Sequence, residues 1–192
     1  MHPWHDIEVD EATIAQAFPA VIEIPKGSKN KYELDKHTGL LRLDRVLYSA
    51  VHYPADYGFI PRTYCDDNDP LDVLVLGQES VYPLTIVQAR AVGAMRMRDD
   101  KGIDDKIVAV NVRDPAVADY TDHTQLPQHV LRELKRFFQD YKVLENKVVE
   151  VEDILGTTEA IGILRSALDL YRRLRRGEIR SSPRSRPTPM PR

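Results

Sequence analysis

A small antiparallel β-barrel with two helices packed outside it is the fold this sequence predicts, on three observations. Short strand-length apolar runs, spaced as in barrels, fill the first two thirds of the chain. The last third changes to a helical period. A length of 192 residues suffices for one domain with a proper core and is too short for two comfortable ones.

In chain order, Val21-Ile22-Glu23-Ile24 reads as a strand stopped by Pro25. Residues 31–35 and 40–47 flank the turn residues Lys36-His37-Thr38-Gly39, which makes a hairpin. Further runs are 71–76, 85–97 and 107–112, the last two joined by a polar loop over 98–105. From Pro127, suited to a first turn, Val130, Leu131, Leu134, Phe137, Phe138 and Tyr141 recur at helical spacing. Thr157 or Thr158 is the expected cap of a second helix carrying Ile161, Leu164, Leu168, Tyr171 and Leu174. Beyond Gly177 the chain is rich in proline and arginine without periodicity, so disorder is expected there.

Charge is unevenly distributed. Eight arginines from Arg172 onward, set against Glu178, leave +7 in the tail, so a net −3 for the chain means −10 for residues 1–171. The single cysteine, Cys65, rules out an intramolecular disulfide and a cysteine-rich zinc site, and fits a reducing compartment. The start, Met-His-Pro-Trp-His-Asp, lacks the basic and apolar regions of a signal peptide. No apolar run approaches the roughly 20 residues of a membrane helix. A soluble cytoplasmic protein is expected.

The chemistry concentrates at Asp66-Asp-Asn-Asp-Pro-Leu-Asp72, four carboxylates that run straight into the apolar Val73-Leu-Val-Leu76. Like charges this close raise each other's pKa or demand a counter-ion, which makes the knot a candidate for hard-metal binding. Neither the glycine nor the distal glutamate of a calcium loop falls at its offset, and no nucleotide-loop, serine-hydrolase or zinc-protease signature is present. Asp67, Asp69 and Asp72 at one strand start, with Asp99, Asp104 and Asp105 around Gly102 in a second loop, are an oxygen-rich set suited to Mg²⁺ and a substrate phosphate. Read alone, Asp-Asn-Asp-Pro is also ordinary turn chemistry. Lys29, Lys31, Arg45, Lys106 and Lys142, interleaved with Tyr53, Tyr57 and Tyr141, supply the cations and hydroxyls of a phosphate clamp.

These residues carry a specific resemblance. Asp67-Asn-Asp69-Pro-Leu-Asp72-Val resembles the D-x-D-P-x-D-V signature of family I soluble inorganic pyrophosphatases. Ile22-Glu23-Ile24-Pro25, Lys31-Tyr32-Glu33, Leu43-Asp44-Arg45, Tyr53-Pro54-x-x-Tyr57-Gly58, the stretch 99–106 and Phe137-Phe138-x-x-Tyr141-Lys142 agree in the same order. The resemblance covers residues 20–172 and divides the chain into an N-terminal extension (1–20), a pyrophosphatase domain (21–176) and a basic tail (177–192).

It implies a mostly β fold with α, a five-stranded OB-like closed β-barrel with two packed helices. It implies Mg²⁺-dependent hydrolysis of pyrophosphate, with Asp67, Asp72 and Asp104 as metal ligands and Asp99 a ligand of a further ion arriving with substrate. Asp69 resembles the general base, Lys31, Arg45, Tyr57, Tyr141 and Lys142 the substrate clamp, and Glu23, Glu33, Tyr53 and Lys106 supporting residues. A homo-oligomer, a hexamer ahead of a monomer, is the implied assembly, although Lys-Gly-Ser-Lys-x-Lys-Tyr-Glu-Leu-Asp-Lys and Asp-Asn-Asp-Pro look more like plant members than bacterial ones.

Two other functions compete. Hydrolysis of another phosphoanhydride is set back by the lack of obvious base-stacking aromatics beside the site. Small barrels also bind single-stranded nucleic acid, and the tail is basic, but an acidic body repels phosphates, so no nucleic-acid partner is expected.

Overall fold

In the computed structural model of the protein, residues 1–99 and 102–179 are described, Asp99 by its backbone alone. The predicted tail therefore lies, from residue 180 onward, outside the described residues. Eight strands form: β1 Phe18–Ile24, β2 Asn30–Leu34, β3 Leu41–Val46, β4 Asp56–Phe59, β5 Asp72–Leu76, β6 Ile86–Asp99, β7 Gly102–Asn111 and β8 Glu150–Leu155. Helix α1 spans Gln128–Asp140 and α2 spans Thr157–Arg175.

Pairings run β1–β4–β5–β7–β6 and return from β6 to β1, so five strands close on themselves as expected, with β8 added to β6. Strands β2 and β3 form the predicted hairpin as a separate two-stranded sheet, and its turn is tied by Asp35, whose Oδ1 accepts from the backbone of His37 and Thr38. One contact departs from the antiparallel expectation: β5 and β7 pair in parallel, because the whole of β6 intervenes between them in the chain. That register sets Asp72 directly beside Lys106. Closure also needs Gly58, opposite Ile22 in the β1–β4 ladder, where a Cβ would lie 1.9 Å from the Val21 carbonyl oxygen.

The expected loop over 98–105 is largely strand. β6 runs to Asp99 and β7 begins at Gly102, whose φ of 120° is one that a side chain resists. On β7 the alternation of strand side chains then separates Asp104 and Lys106 from Asp105.

Branched and aromatic side chains fill the barrel, and α2 covers one side with Ala160, Leu164, Ala167, Leu168 and Tyr171. Helix α1 covers the other with Leu134, Phe137 and Phe138. The cap of α2 differs from expectation. Gly156 occupies the N-cap position with no side-chain bond, while the Thr157 hydroxyl, one residue inside, donates to the Thr121 carbonyl oxygen at 2.9 Å and to Asp122 at 3.1 Å. Thr157 thus ties the helix to its neighbours instead of to its own backbone. Among the described residues, no helix is long and apolar enough to cross a membrane.

Candidate active site

A cavity of about 720 Å³ opens between the β2–β3 hairpin, the start of β5, the start of β7 and the end of α1. Of the sequence-predicted residues, Glu23, Lys31, Glu33, Arg45, Tyr57, Asp67, Asp69, Asp72, Asp104, Lys106, Tyr141 and Lys142 line it. Tyr53 does not. It lies buried behind the wall, its ring 5.5 Å from Tyr57 and 4.7 Å from Phe137. Lys29 and Asp105 are also outside the cavity wall. Asp105 takes a two-pronged ion pair from Arg96 across the β6–β7 ladder, both contacts at 2.8 Å, because odd and even positions of β7 face opposite ways. The side chain of Asp99 is outside the described residues.

The floor is a buried charge cluster. Lys106, 2% exposed, donates to Asp72 Oδ2 at 2.6 Å and to Asp104 Oδ1 at 2.9 Å, and the Tyr57 hydroxyl donates to Asp72 at 2.5 Å. Burial works against the Lys106 charge, but Asp104 and Asp72 outweigh it and hold its pKa well above the ordinary lysine value. At Asp72 burial pushes the carboxyl up while Lys106 pulls it back. Asp67 retains solvent contact, yet the cavity walls desolvate its carboxyl, and with the charges of Asp69 and Asp72 they push it up to about 6. Burial pushes Glu23 up to about 8, opposed by the Leu34 amide, which donates to Glu23 at 2.6 Å and ties β1 to the hairpin.

The facing wall holds the cations. Lys31 and Arg45 are cross-strand partners in the hairpin. Lys31 pairs with Glu33 and reaches Asp44 at 3.3 Å, and Arg45 pairs with Asp44 and reaches Glu145 at 2.9 Å. Burial disfavours the charge on Lys31, but Glu33 and Asp44 reverse the balance and raise its pKa. Burial pushes the Tyr141 hydroxyl up to about 12, so it remains a proton donor, and Lys142 lies 5.1 Å from that ring's centroid.

Several residues of the wall, or in contact with it, were not anticipated. Asp44 stands in the Leu43-Asp44-Arg45 stretch, directly before Arg45. Glu145 lies 100 positions from Arg45, a pairing that no local pattern signals. Lys36, read only as a turn residue, forms an ion pair with Asp69. Besides the expected Tyr57 and Tyr141, the aromatic side chains of Trp4, Tyr32 and His37 line the cavity. Trp4 is no stacking platform, because it is 5% exposed with His5 stacked on it at 4.6 Å and the Lys36 ammonium 5.3 Å from its ring centroid.

Among the described residues, no three carboxylate, imidazole or thiol groups are gathered tightly enough to cage a metal ion, since lysine ammonium groups stand against Asp69, Asp72 and Asp104. The donor chemistry nevertheless fits a hard divalent cation. The carboxylates offer oxygen only, and Asp67 is raised first by burial and then by its acidic neighbours, whose repulsion a cation relieves.

Residues 20–172 match the family model described as inorganic pyrophosphatase. Over 170 residues the chain is 55% identical to soluble inorganic pyrophosphatase PPA1 of Solanum tuberosum, covering 88% of this chain and 80% of that relative. It is 54% identical, with the same coverage, to soluble inorganic pyrophosphatase 1 of Arabidopsis thaliana. The solved inorganic pyrophosphatase of Helicobacter pylori superposes with a TM-score of 0.82 at 42% identity, over 87% of this chain and 99% of that one. That of Thermus thermophilus gives 0.82 at 39% identity, over 86% and 97%.

Proposed function

The chain belongs to the inorganic pyrophosphatase family, a metal-dependent group of diphosphate hydrolases, and we infer from that premise which residues turn pyrophosphate and water into two orthophosphates. The observation that carries the reading is one cavity with carboxylates on one wall and lysine, arginine and tyrosine groups on the other. Asp69 is the general base, accepting a proton from the attacking water. Lys31, Arg45, Tyr57, Tyr141 and Lys142 bind phosphate oxygens and neutralise the charge that develops on the terminal and leaving oxygens. Their carboxylate partners Glu33, Asp44 and Glu145 keep the cations in place before substrate arrives.

Asp67, Asp72 and Asp104, with Asp99, would hold Mg²⁺. Bound there, the ion supplies charge neutralisation and an acidified water. Lys106 orients Asp72 and Asp104, Glu23 fixes the hairpin to β1, and Tyr53 supports the Tyr57 ring from behind. A domain over 21–176, a cytoplasmic setting and a homo-oligomer, hexamer ahead of monomer, belong to the same reading.

Phosphate release from pyrophosphate, titrated with Mg²⁺, Mn²⁺ or Zn²⁺ and compared with release from ATP, tests it. Asp69→Asn is expected to lower turnover by roughly 10²–10⁴-fold at saturating metal. A variant that turns over like the wild type removes Asp69 from the role of base.

A further inference from the structure

The family match begins at residue 20, yet the segment before it reaches the cavity. Trp4 is buried among Val21, Leu34, Phe59, Tyr64 and Tyr171, and its indole N–H donates to the Thr63 carbonyl oxygen at 2.8 Å. The two groups that grip the acidic turn both rest on this ring. Tyr64 stacks on it with centroids 6.4 Å apart, and its hydroxyl donates to Asn68 Oδ1 at 2.6 Å. The Lys36 ammonium lies over the ring, donates to the Asn68 carbonyl oxygen at 2.6 Å and pairs with the Asp69 carboxylate. His2 Nε2 stands 3.1 Å from the Lys36 carbonyl oxygen and steadies that residue's backbone.

Asn68 needs such a grip. Its φ of 70° is left-handed, and on either side of it sit Asp67 and Asp69. An ordinary exposed ion pair contributes little order, because both side chains keep their freedom. Lys36 differs: the indole face and the Asn68 carbonyl oxygen restrict its ammonium from two further directions, and cation–π contacts of this kind add direction as well as attraction.

We propose that Trp4 and Lys36 are positioning residues of the active site: Trp4 holds Lys36, and Lys36 sets the turn that aims the Asp69 carboxylate. The inference rests on Asp69 being the base. It has a second consequence, because Trp4 is the one tryptophan of the sequence and its emission reports where the neighbouring ammonium stands. A divalent cation that enters among the neighbouring carboxylates repels the Lys36 ammonium, so it changes that emission.

Kinetics and fluorescence test this together. Lys36→Met keeps the aliphatic stem and is expected to lower kcat by about 10- to 100-fold, the penalty of a mispositioned group, with KM for pyrophosphate and Tm close to wild type. Lys36→Arg is expected to restore most of kcat, and Trp4→Phe, which keeps an aromatic face, to retain more activity than Trp4→Leu. Mg²⁺ alone, titrated without substrate, is expected to change the Trp4 emission in the wild type and not in Lys36→Met.

Wild-type kcat in Lys36→Met, or a loss matched by equal changes in KM and Tm, overturns the positioning role. Identical emission responses in the two proteins, or none in either, overturn the coupling. Asp69→Asn separates the two readings. If it is active, the assignment of the base has failed, whereas an inactive Asp69→Asn beside a fully active Lys36→Met defeats only the present inference.

Discussion

Lys106 shows how a single buried charge holds the floor of the cavity. Its ammonium satisfies Asp72 and Asp104 at once, and it lies 5.6 Å from the ring centroids of Tyr57 and Phe138, so a neutral replacement would leave those carboxylates facing aromatic rings in place of a cation. Lys106→Met removes one partner and leaves two desolvated acids repelling each other, a change worth about 3–5 kcal/mol of stability. Urea unfolding without added metal measures it, and part of the loss is expected to return when Mg²⁺ supplies the missing charge. Stability equal to wild type in metal-free buffer would mean that the Lys106 ion pairs add nothing net to the fold. This lysine was legible as a site residue from its place in a motif, but its partner Asp72 lies 34 positions away, and only the parallel β5–β7 register brings them together. Glu145 and Trp4 were illegible for the same reason: each acts on a residue far away in the chain.

Elements were readable in proportion to their periodicity. The hairpin and both helices carry strong patterns and formed where expected. β4, only four residues long, and β8, with three acids in Glu150–Leu155, do not alternate and were missed; each owes its extended form to the strands it pairs with. Contacts between elements were the least legible, and Asp122 is the clearest case. It caps the short turn His123–Gln125, accepting from the Thr124 amide at 2.9 Å and hydroxyl at 2.7 Å, and it also receives the Thr157 hydroxyl at the start of α2. The Thr124 amide, then its hydroxyl, then Thr157 hold the carboxyl down at about 2, below the ordinary 3.8. A depressed acid contributes stability above its unfolded pKa and loses it as pH falls through the folded one. Asp122→Ala is therefore expected to be less stable than wild type by about 1 kcal/mol near neutrality, the usual worth of a cap and a screened figure for a side chain this exposed. The gap should close between pH 4 and pH 2. Thermal unfolding across that range measures the convergence; a gap that persists at pH 2 would assign the effect to packing instead of to the charge.

On the scale of the whole molecule, the body over residues 1–171 carries −10 before any metal binds, and its most crowded acids face one cavity. Folding thus brings together charges that the unfolded chain keeps apart, and the native state is the form to which a divalent cation binds. Mass action then makes the metal a stabiliser as well as a catalyst: one site filled at a free concentration 100 times its Kd adds about 2.7 kcal/mol. For a domain of this size each kcal/mol moves the melting temperature by about 2–4 °C, so saturating Mg²⁺ is expected to raise Tm by about 5–11 °C over a chelated sample. Asp72→Asn separates specific binding from general screening. The variant removes one charge of the proposed ligand set and should lose much of the Mg²⁺-dependent rise, while an equal ionic strength of NaCl should reproduce little of it in either protein. The outcome that defeats this argument is a Tm indifferent to Mg²⁺ in an enzyme whose turnover depends on it. The metal would then enter only with the phosphate it accompanies, and Asp69, Asp72 and Asp104, the three carboxylates held until that moment by Lys36 and Lys106, would belong to a site that substrate completes.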